Sequence, residues 1–400
     1  MLYVFYILAA VLVWFSCKSF RGGIEYLRYF REELARPAGE YAPFATVIVP
    51  CRGLDDGLAD NLAMLLEQEY PSFEVIFVVD DKNDAAVPII RDVLDKCARV
   101  PTRLVVAPRA NGMSQKVENL REAVLHADAR SQVFAFADSD ARPQRDWLRR
   151  LVAPLADESV GAATGYRWFI SKRPTFGSEM RSVWNASIAS ALGPNLRSNF
   201  CWGGSMAIRR DVFEKVGMRE RWRGTLSDDF AVTRAMKDAD LAIRFVPQAL
   251  TATVEDCTFA ETLEFTTRQM KITRVYAPQL WGLSFFGSGL FTFVMIAALA
   301  IVLLSRRNDA AVIVSLATLG AVSVLSIGKS WLRLAAVKLV LGGRCERELR
   351  VQNLTQNTLW LLSPPLFLLN AFAALVSRRM TWRGITYELK SPTETVIISD

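Results

Sequence analysis

Residues 132–140 read QVFAFADSD, an unbroken apolar run from Val133 to Ala137 followed by Asp138, Ser139 and Asp140. A β-branched and aromatic run without polar alternation is a strand covered on both faces, and the acids that end it lie at its carboxyl end. EVIFVVDD at 74–81 follows the same pattern and ends on Asp80 and Asp81. Working outward, FATVIVP at 44–50 stops at Pro50, and Leu104, Val105 and Val106 form another short run. Helical patterns lie between them at 58–68 and 116–125. Strand and helix alternating at this spacing predict an α/β fold with a mostly parallel sheet and right-handed crossovers. Ligands bind such open sheets beyond the carboxyl ends of the strands, so both acid clusters are expected to line one crevice.

Either cluster alone would read as helix N-caps. A further acidic pair stands at Ser227-Asp228-Asp229, ahead of the helical pattern Phe230, Val232 and Met236, and capping leaves its second acid without a role. The stretch Gly203-Gly204-Ser205-Met206-Ala207-Ile208-Arg209 reads as a close backbone approach followed by a strand, its glycines letting a ligand pack against main chain.

The chain has 400 residues, 51% hydrophobic and 22% charged, which excludes disordered and collagen-like classes. Its only histidine, His126, reads as a surface helix residue, so a multi-histidine metal site is impossible. The six cysteines never fall within CxxC-type spacing, and a disulfide scaffold does not suit a chain this long. Lys and Arg number 48 against 41 Asp and Glu, an excess that suits an anionic substrate or an anionic lipid surface. No recognition motif or long basic run points to nucleic acid.

The apolar residues are concentrated at the two ends. Residues 1–17 carry no charge and precede Lys18 and Arg21, the pattern of a signal anchor that keeps the following chain cytoplasmic. Residues 281–304, 310–328 and 351–376 are also uncharged. Each is long enough to cross a hydrocarbon core of about 30 Å, which needs about 20 helical residues. Pro364-Pro365 is expected to kink the last run, and Arg306-Arg307-Asn308-Asp309 to form a hairpin on the far side. The basic segment 329–350 reads as an amphipathic helix at the interface. The expected division is an anchor at 1–23, an α/β block at 24–280, membrane and interfacial helices at 281–376 and a tail at 377–400. Four spans would place the basic tail on the far side from the block.

Asp-x-Asp at a strand end is a way to hold Mg²⁺ or Mn²⁺ through one or two carboxylates plus substrate phosphate oxygens. Asp138 and Asp140 are the candidate ligands. A cation there neutralises a diphosphate leaving group, while a carboxylate elsewhere takes the proton of an attacking hydroxyl.

The ordered set Pro50-Cys51-Arg52-Gly53, Val79-Asp80-Asp81, NGMSQKVENL at 111–120, Asp138-Ser139-Asp140, Gly203-Gly204-Ser205 and Ser227-Asp228-Asp229 resembles the family 2 glycosyltransferases. It is most similar to the membrane-bound ceramide glucosyltransferase branch and its bacterial relatives, over most of the chain, including Thr381-Trp382-Arg383-Gly384 and Tyr387 in the tail. The resemblance implies a GT-A fold and an inverting transfer from a UDP-sugar, glucose or a related hexose, to a membrane lipid hydroxyl. It also implies a multi-pass protein of the bacterial inner membrane. Asp81 would contact the uridine end of the donor, with Pro50, Arg52, Lys116, Asn119 and Gly204 lining the donor site. Asp138 and Asp140 would hold the metal and diphosphate, and Asp229, beside Asp228, would be the general base. The family's Gln/Arg-x-x-Arg-Trp motif is replaced by Arg268-Gln269-Met270-Lys271-Ile272, followed by Arg274. Lys271 keeps the charge but loses the bidentate fork of arginine, and the resemblance implies that Arg268 and Lys271, or Arg274 in a shifted alignment, bind the substrate by neutralising the diphosphate. The alternatives are a processive polysaccharide synthase and a non-catalytic membrane scaffold with a degenerate transferase domain.

Overall fold

The computed structural model describes residues 2–97, 99–305 and 310–399, so the hairpin expected at 306–309 lies outside the described residues. The chain folds as two compact units, each assembled from separated stretches. One comprises 32–170, 191–255 and 378–400. Its strands are β1 (Ala45–Pro50), β2 (Phe73–Val79), β3 (Thr102–Val106), β4 (Val133–Ala137), β5 (Ala141–Arg142), β6 (Val160–Ile170), β7 (Ser205–Arg209) and β8 (Ala242–Val254). They form one sheet in the order β3-β2-β1-β4-β7-β6-β8-β5.

The apolar runs form strands because both faces of the sheet are covered. Val47, Val49, Val75, Phe77 and Ala135 pack on one face with Leu62, Leu65 and Ile90. Ile48, Ile76, Val78, Phe134 and Phe136 pack on the other with Val117, Leu120 and Trp222. Each large side chain so buried contributes about 1.5–3 kcal/mol, and a one-residue register slip would exchange the two faces. The β1–β2, β1–β4 and β2–β3 pairs are parallel, as expected. The sheet departs from that expectation at β7, which runs antiparallel to both β4 and β6. The tail forms a second, antiparallel sheet of β9 (Arg379–Trp382), β10 (Ile385–Ser391) and β11 (Glu394–Ser399).

The other unit comprises the chain up to Arg31 together with 171–190 and 256–377. Among the described residues, three helical stretches are long and apolar enough to cross a membrane: Leu2–Ala35, Pro278–Leu304 and Ala310–Val376. The four separate runs read from sequence are corrected here. The second run, the basic segment and the start of the third form one helix, Ala310–Thr358, interrupted at Cys345. A 3₁₀ turn, Leu359–Leu362, and a helix, Ser363–Val376, follow it. Pro364 and Pro365 begin that last helix instead of kinking it, because a first-turn proline sacrifices no intrahelical bond. Nor is 329–350 a free interfacial helix. Arg333 is buried and donates to Gln356 Oε1 at 2.8 Å, and Lys329 donates to Ser19 Oγ at 2.8 Å. Polar groups inside an apolar bundle need such partners.

Tail and block share one compact unit.

Candidate functional site

Parallel pairing brings the ends of β2 and β4 to one edge of the sheet, and with them Asp80, Asp81, Asp138 and Asp140. Ser114 starts the helix Gln115–Ala123, accepting a bond from the Val117 amide, and this turn presents Lys116. The Lys116 ammonium lies 2.7 Å from Asp138 Oδ1 and 3.3 Å from Asp228 Oδ1. Three segments far apart in sequence thus meet at one cation. Burial opposes the charge on Lys116, but Asp138 and Asp228 outweigh it and raise its pKa. Lys116 in turn holds the Asp138 carboxyl below its ordinary value despite burial.

The neighbouring acids are perturbed the other way. Burial, then the Asp138 charge, push Asp140 up to about 7. Burial pushes Asp228 up to about 6 against the pull of Lys116, with Asp229 and Asp138 adding to the rise. Asp140 Oδ1 and Asp228 Oδ2 are buried with no hydrogen-bond partner. The glycines at 203 and 204 are required by this crowding. A Cβ on Gly203 would lie 2.0 Å from Asp228 Oδ2, and one on Gly204 would lie 2.6 Å from Asp138 Oδ2.

Asp229 occupies a different environment. Its Oδ1 accepts from the Ser227 hydroxyl and, at 2.7 Å, from the Phe230 amide, and its Oδ2 accepts from the Gly203 amide at 3.4 Å. The helix Asp228–Asp238 therefore starts with one acid turned to Lys116 and the other held by its own loop.

Asp80 is buried and ion-paired to both Arg52 and Arg109, the latter at 2.6 Å. Asp81 is more exposed and meets the other arm of Arg109 at 3.2 Å. Asn119 Oδ1 accepts from Gln115 Nε2 at 2.9 Å within the helix, and Pro50 ends β1 beside these groups. Arg268, Lys271 and Arg274 lie on the helix Phe259–Tyr276 of the other unit. There Arg268 covers the Phe265 ring at 5.5 Å, and burial lowers the Lys271 ammonium. Arg274 donates to the carbonyls of Ala374 at 2.5 Å and Leu375 at 3.0 Å, closing the C-terminus of Ser363–Val376.

Several participants escaped the sequence reading. Arg109 stands in no motif. Asp55, in the stretch RGLDDG at 52–57, accepts from Ser139 Oγ at 2.5 Å, and its paired acids beside a glycine were a signal available for it. His126 is an ordinary helix-end residue, 2.9 Å from Glu122.

Among the described residues no three Asp, Glu, Cys or His side chains converge into a complete metal cage. What fits a divalent cation is a partial set: Asp140 with a buried, unpartnered oxygen beside Asp138. Hard cations that keep substrate oxygens in their shell need only one or two protein carboxylates.

The raised pKa of Asp140 predicts a stability effect. Because its folded value lies above the unfolded one near 4, the ionised carboxylate opposes folding. The penalty begins above the unfolded value, grows through the interval and is complete above about 7. In EDTA, D140N is expected to melt at or above the native protein at pH 8, with a smaller gain at pH 5.5. A lower melting temperature at pH 8 would contradict this assignment.

The sequence pattern of glycosyl transferase family 21 matches residues 2–395. Ceramide glucosyltransferase 1 of Caenorhabditis elegans is 22% identical over 199 residues, 48% of this chain and 42% of the relative. Ceramide glucosyltransferase of Gibberella zeae is 26% identical over 167 residues, 38% of this chain and 31% of the relative. The matched stretches thus span less than half the length of these curated relatives. Among solved structures, the mannosyltransferase PcManGT from Pyrobaculum calidifontis, in complex with GDP-Man and Mn²⁺, aligns over 93% of this chain and 98% of its own. Its identity is 18% and its TM-score 0.47. The likeness to the ceramide glucosyltransferase branch expected from the motifs is borne out, and the chain belongs to glycosyl transferase family 21.

Proposed function

We propose that this chain is a membrane-bound inverting glycosyltransferase that moves a hexose, glucose or a related sugar, from a UDP-sugar to a hydroxyl of a ceramide-like or other membrane lipid. The observation that carries the reading is the meeting of Lys116 with Asp138 and Asp228, flanked by Asp140 with its unpartnered oxygen. Asp138 and Asp140 would hold a divalent cation, Mg²⁺ or Mn²⁺, which when bound supplies charge neutralisation to the departing diphosphate. Asp81, Arg52 and Lys116 bind and orient the donor, with Pro50, Asn119 and Gly204 shaping its site. The acceptor hydroxyl attacks the anomeric carbon from the side opposite the diphosphate, so one displacement inverts that centre. As the new C–O bond forms, the bond to the diphosphate oxygen breaks, UDP leaves, and the hydroxyl proton passes to Asp229.

The long apolar helices support a membrane protein whose acceptor arrives laterally from the bilayer. Within this reading 1–23 is the anchor, 24–280 the cytoplasmic catalytic block and 281–376 the membrane part, in a bacterial inner membrane. Arg268, Lys271 and Arg274 would be the cations that help neutralise the diphosphate. Detergent extracts containing the full chain, incubated with Mn²⁺ and labelled UDP-glucose, UDP-galactose or UDP-N-acetylglucosamine, are expected to yield a labelled chloroform-soluble product that EDTA abolishes. A label found only in water-soluble polymer would sink the lipid-acceptor reading, and no labelled product from any donor would sink the transferase reading.

A further inference from the structure

The tail carries an arginine where turn chemistry disfavours it. β9 and β10 are joined by Arg383 and Gly384 alone, with Trp382 opposite Ile385. Both linking residues have positive φ, 51° and 84°. That is the geometry of the two-residue hairpin turn matching strand twist, whose first position favours Asn, Asp or Gly. A side chain with a Cβ there crowds the carbonyl that follows it and strains the backbone. Strain of this kind persists where the surrounding structure over-determines it, and it collects at ligand-binding sites.

The surroundings of Arg383 show what holds it there. Its carbonyl accepts from Arg52 Nε at 3.1 Å, and its guanidinium Nη2 meets Asp55 Oδ1. Arg52 is also the partner of Asp80, and Asp55 is the partner of Ser139, between the two candidate metal-binding aspartates. Further along β10, the Tyr387 hydroxyl accepts from the Gln115 amide at 3.2 Å, one residue before Lys116. The hairpin is thus fastened at two points to the elements that carry the acidic site. Its tip bridges the Asp80 cluster and the Asp138–Asp140 cluster.

The ion pair is asymmetric. The Asp55 side chain is 9% exposed, whereas that of Arg383 is 40% exposed, so the guanidinium forms the outer, accessible side. Asp55 takes one terminal nitrogen of a planar group that carries five donors, and such a fork matches phosphate oxygens. Burial opposes the Arg383 charge, but Asp55, Asp140 and Glu255 outweigh it, which keeps the group cationic beside the acids.

We propose that Arg383 is a donor-binding residue, its guanidinium taking the diphosphate of the nucleotide sugar, so that the C-terminal hairpin is one wall of the donor site. This rests on the glycosyltransferase reading and deepens it. The test uses the full chain in detergent with Mn²⁺, comparing affinities for UDP and for uridine. The native protein is expected to prefer UDP. Arg383→Ala is expected to reduce that preference about tenfold or more while leaving uridine binding unchanged, the loss of charged hydrogen bonds to phosphate. Arg383→Lys should recover part of it through charge without the fork. Arg379→Ala, on the exposed face of the same hairpin where Arg379 meets Glu388, should behave as native. A merely structural role would weaken both ligands together. An unchanged UDP-to-uridine ratio in Arg383→Ala, or in Arg383→Gln if the alanine variant does not fold, overturns the proposal and leaves the transferase reading intact. A native protein that does not distinguish UDP from uridine overturns the donor reading and this proposal with it.

Discussion

Asp138→Asn is expected to reduce sugar transfer by about 10³-fold or more, the scale of losing a preorganised electrostatic contact to a developing anion. Two effects coincide at this residue. The proposed cation loses a charged ligand, and Lys116 loses its carboxylate partner at 2.7 Å, keeping only Asp228 at 3.3 Å. An ammonium with half its compensation is also an electrostatic liability in a partly buried site, so a fall in melting temperature should accompany the loss. The decisive measurement is the initial rate of lipid labelling at saturating UDP-sugar, with circular dichroism as the check on folding. Near-native turnover in the asparagine variant would remove Asp138 from the mechanism.

The second large effect is expected at the acidic pair. Asp229→Asn should lower transfer by about 10²–10⁴-fold, the usual contribution of a positioned general base. Binding of UDP with Mn²⁺ should stay within about threefold of native, because the proposed role belongs to the acceptor side of the reaction. Asp228 is the rival. It faces Lys116, has a buried oxygen without a partner and has its pKa raised to about 6. Asp229 instead is oriented by Ser227, the Phe230 amide and Gly203, donors that fix a carboxylate in place. Measuring both asparagine variants separates the roles. If Asp228→Asn loses turnover with UDP binding retained while Asp229→Asn transfers normally, the base is Asp228.

Much of the α/β unit is legible in its sequence because β1, β2 and β4 are buried on both faces. Such strands must be continuously apolar, and acids at their ends stand out against that background. β6 and β8 were not anticipated. Val160–Ile170 holds Thr164, Tyr166 and Arg167, and Ala242–Val254 holds Arg244, Gln248, Thr251 and Thr253, so polar interruptions dilute their strand signal. The antiparallel turn of β7 also leaves no local trace, since its direction depends on pairing with β4 and β6. At the site, Lys116, Asp138 and Asp228 were legible as motif residues, but Arg109 and Asp55 act through partners that spacing alone does not reveal. The helical unit was harder to read. Hydropathy reports length and apolarity, so it missed the continuity of Ala310–Thr358 and the inward placement of Arg333.

The Arg52–Arg383 bond joins positions 331 residues apart, with 171–190 and 256–377 of the helical unit intervening in the chain. During synthesis the sheet can form and the apolar helices can enter the bilayer before Arg383 has left the ribosome. A polypeptide that stops before Arg379 would carry the aspartates and the lysine but lack the hairpin. On the proposed role of Arg383, capture of the donor diphosphate waits until this late-made hairpin has closed against Arg52.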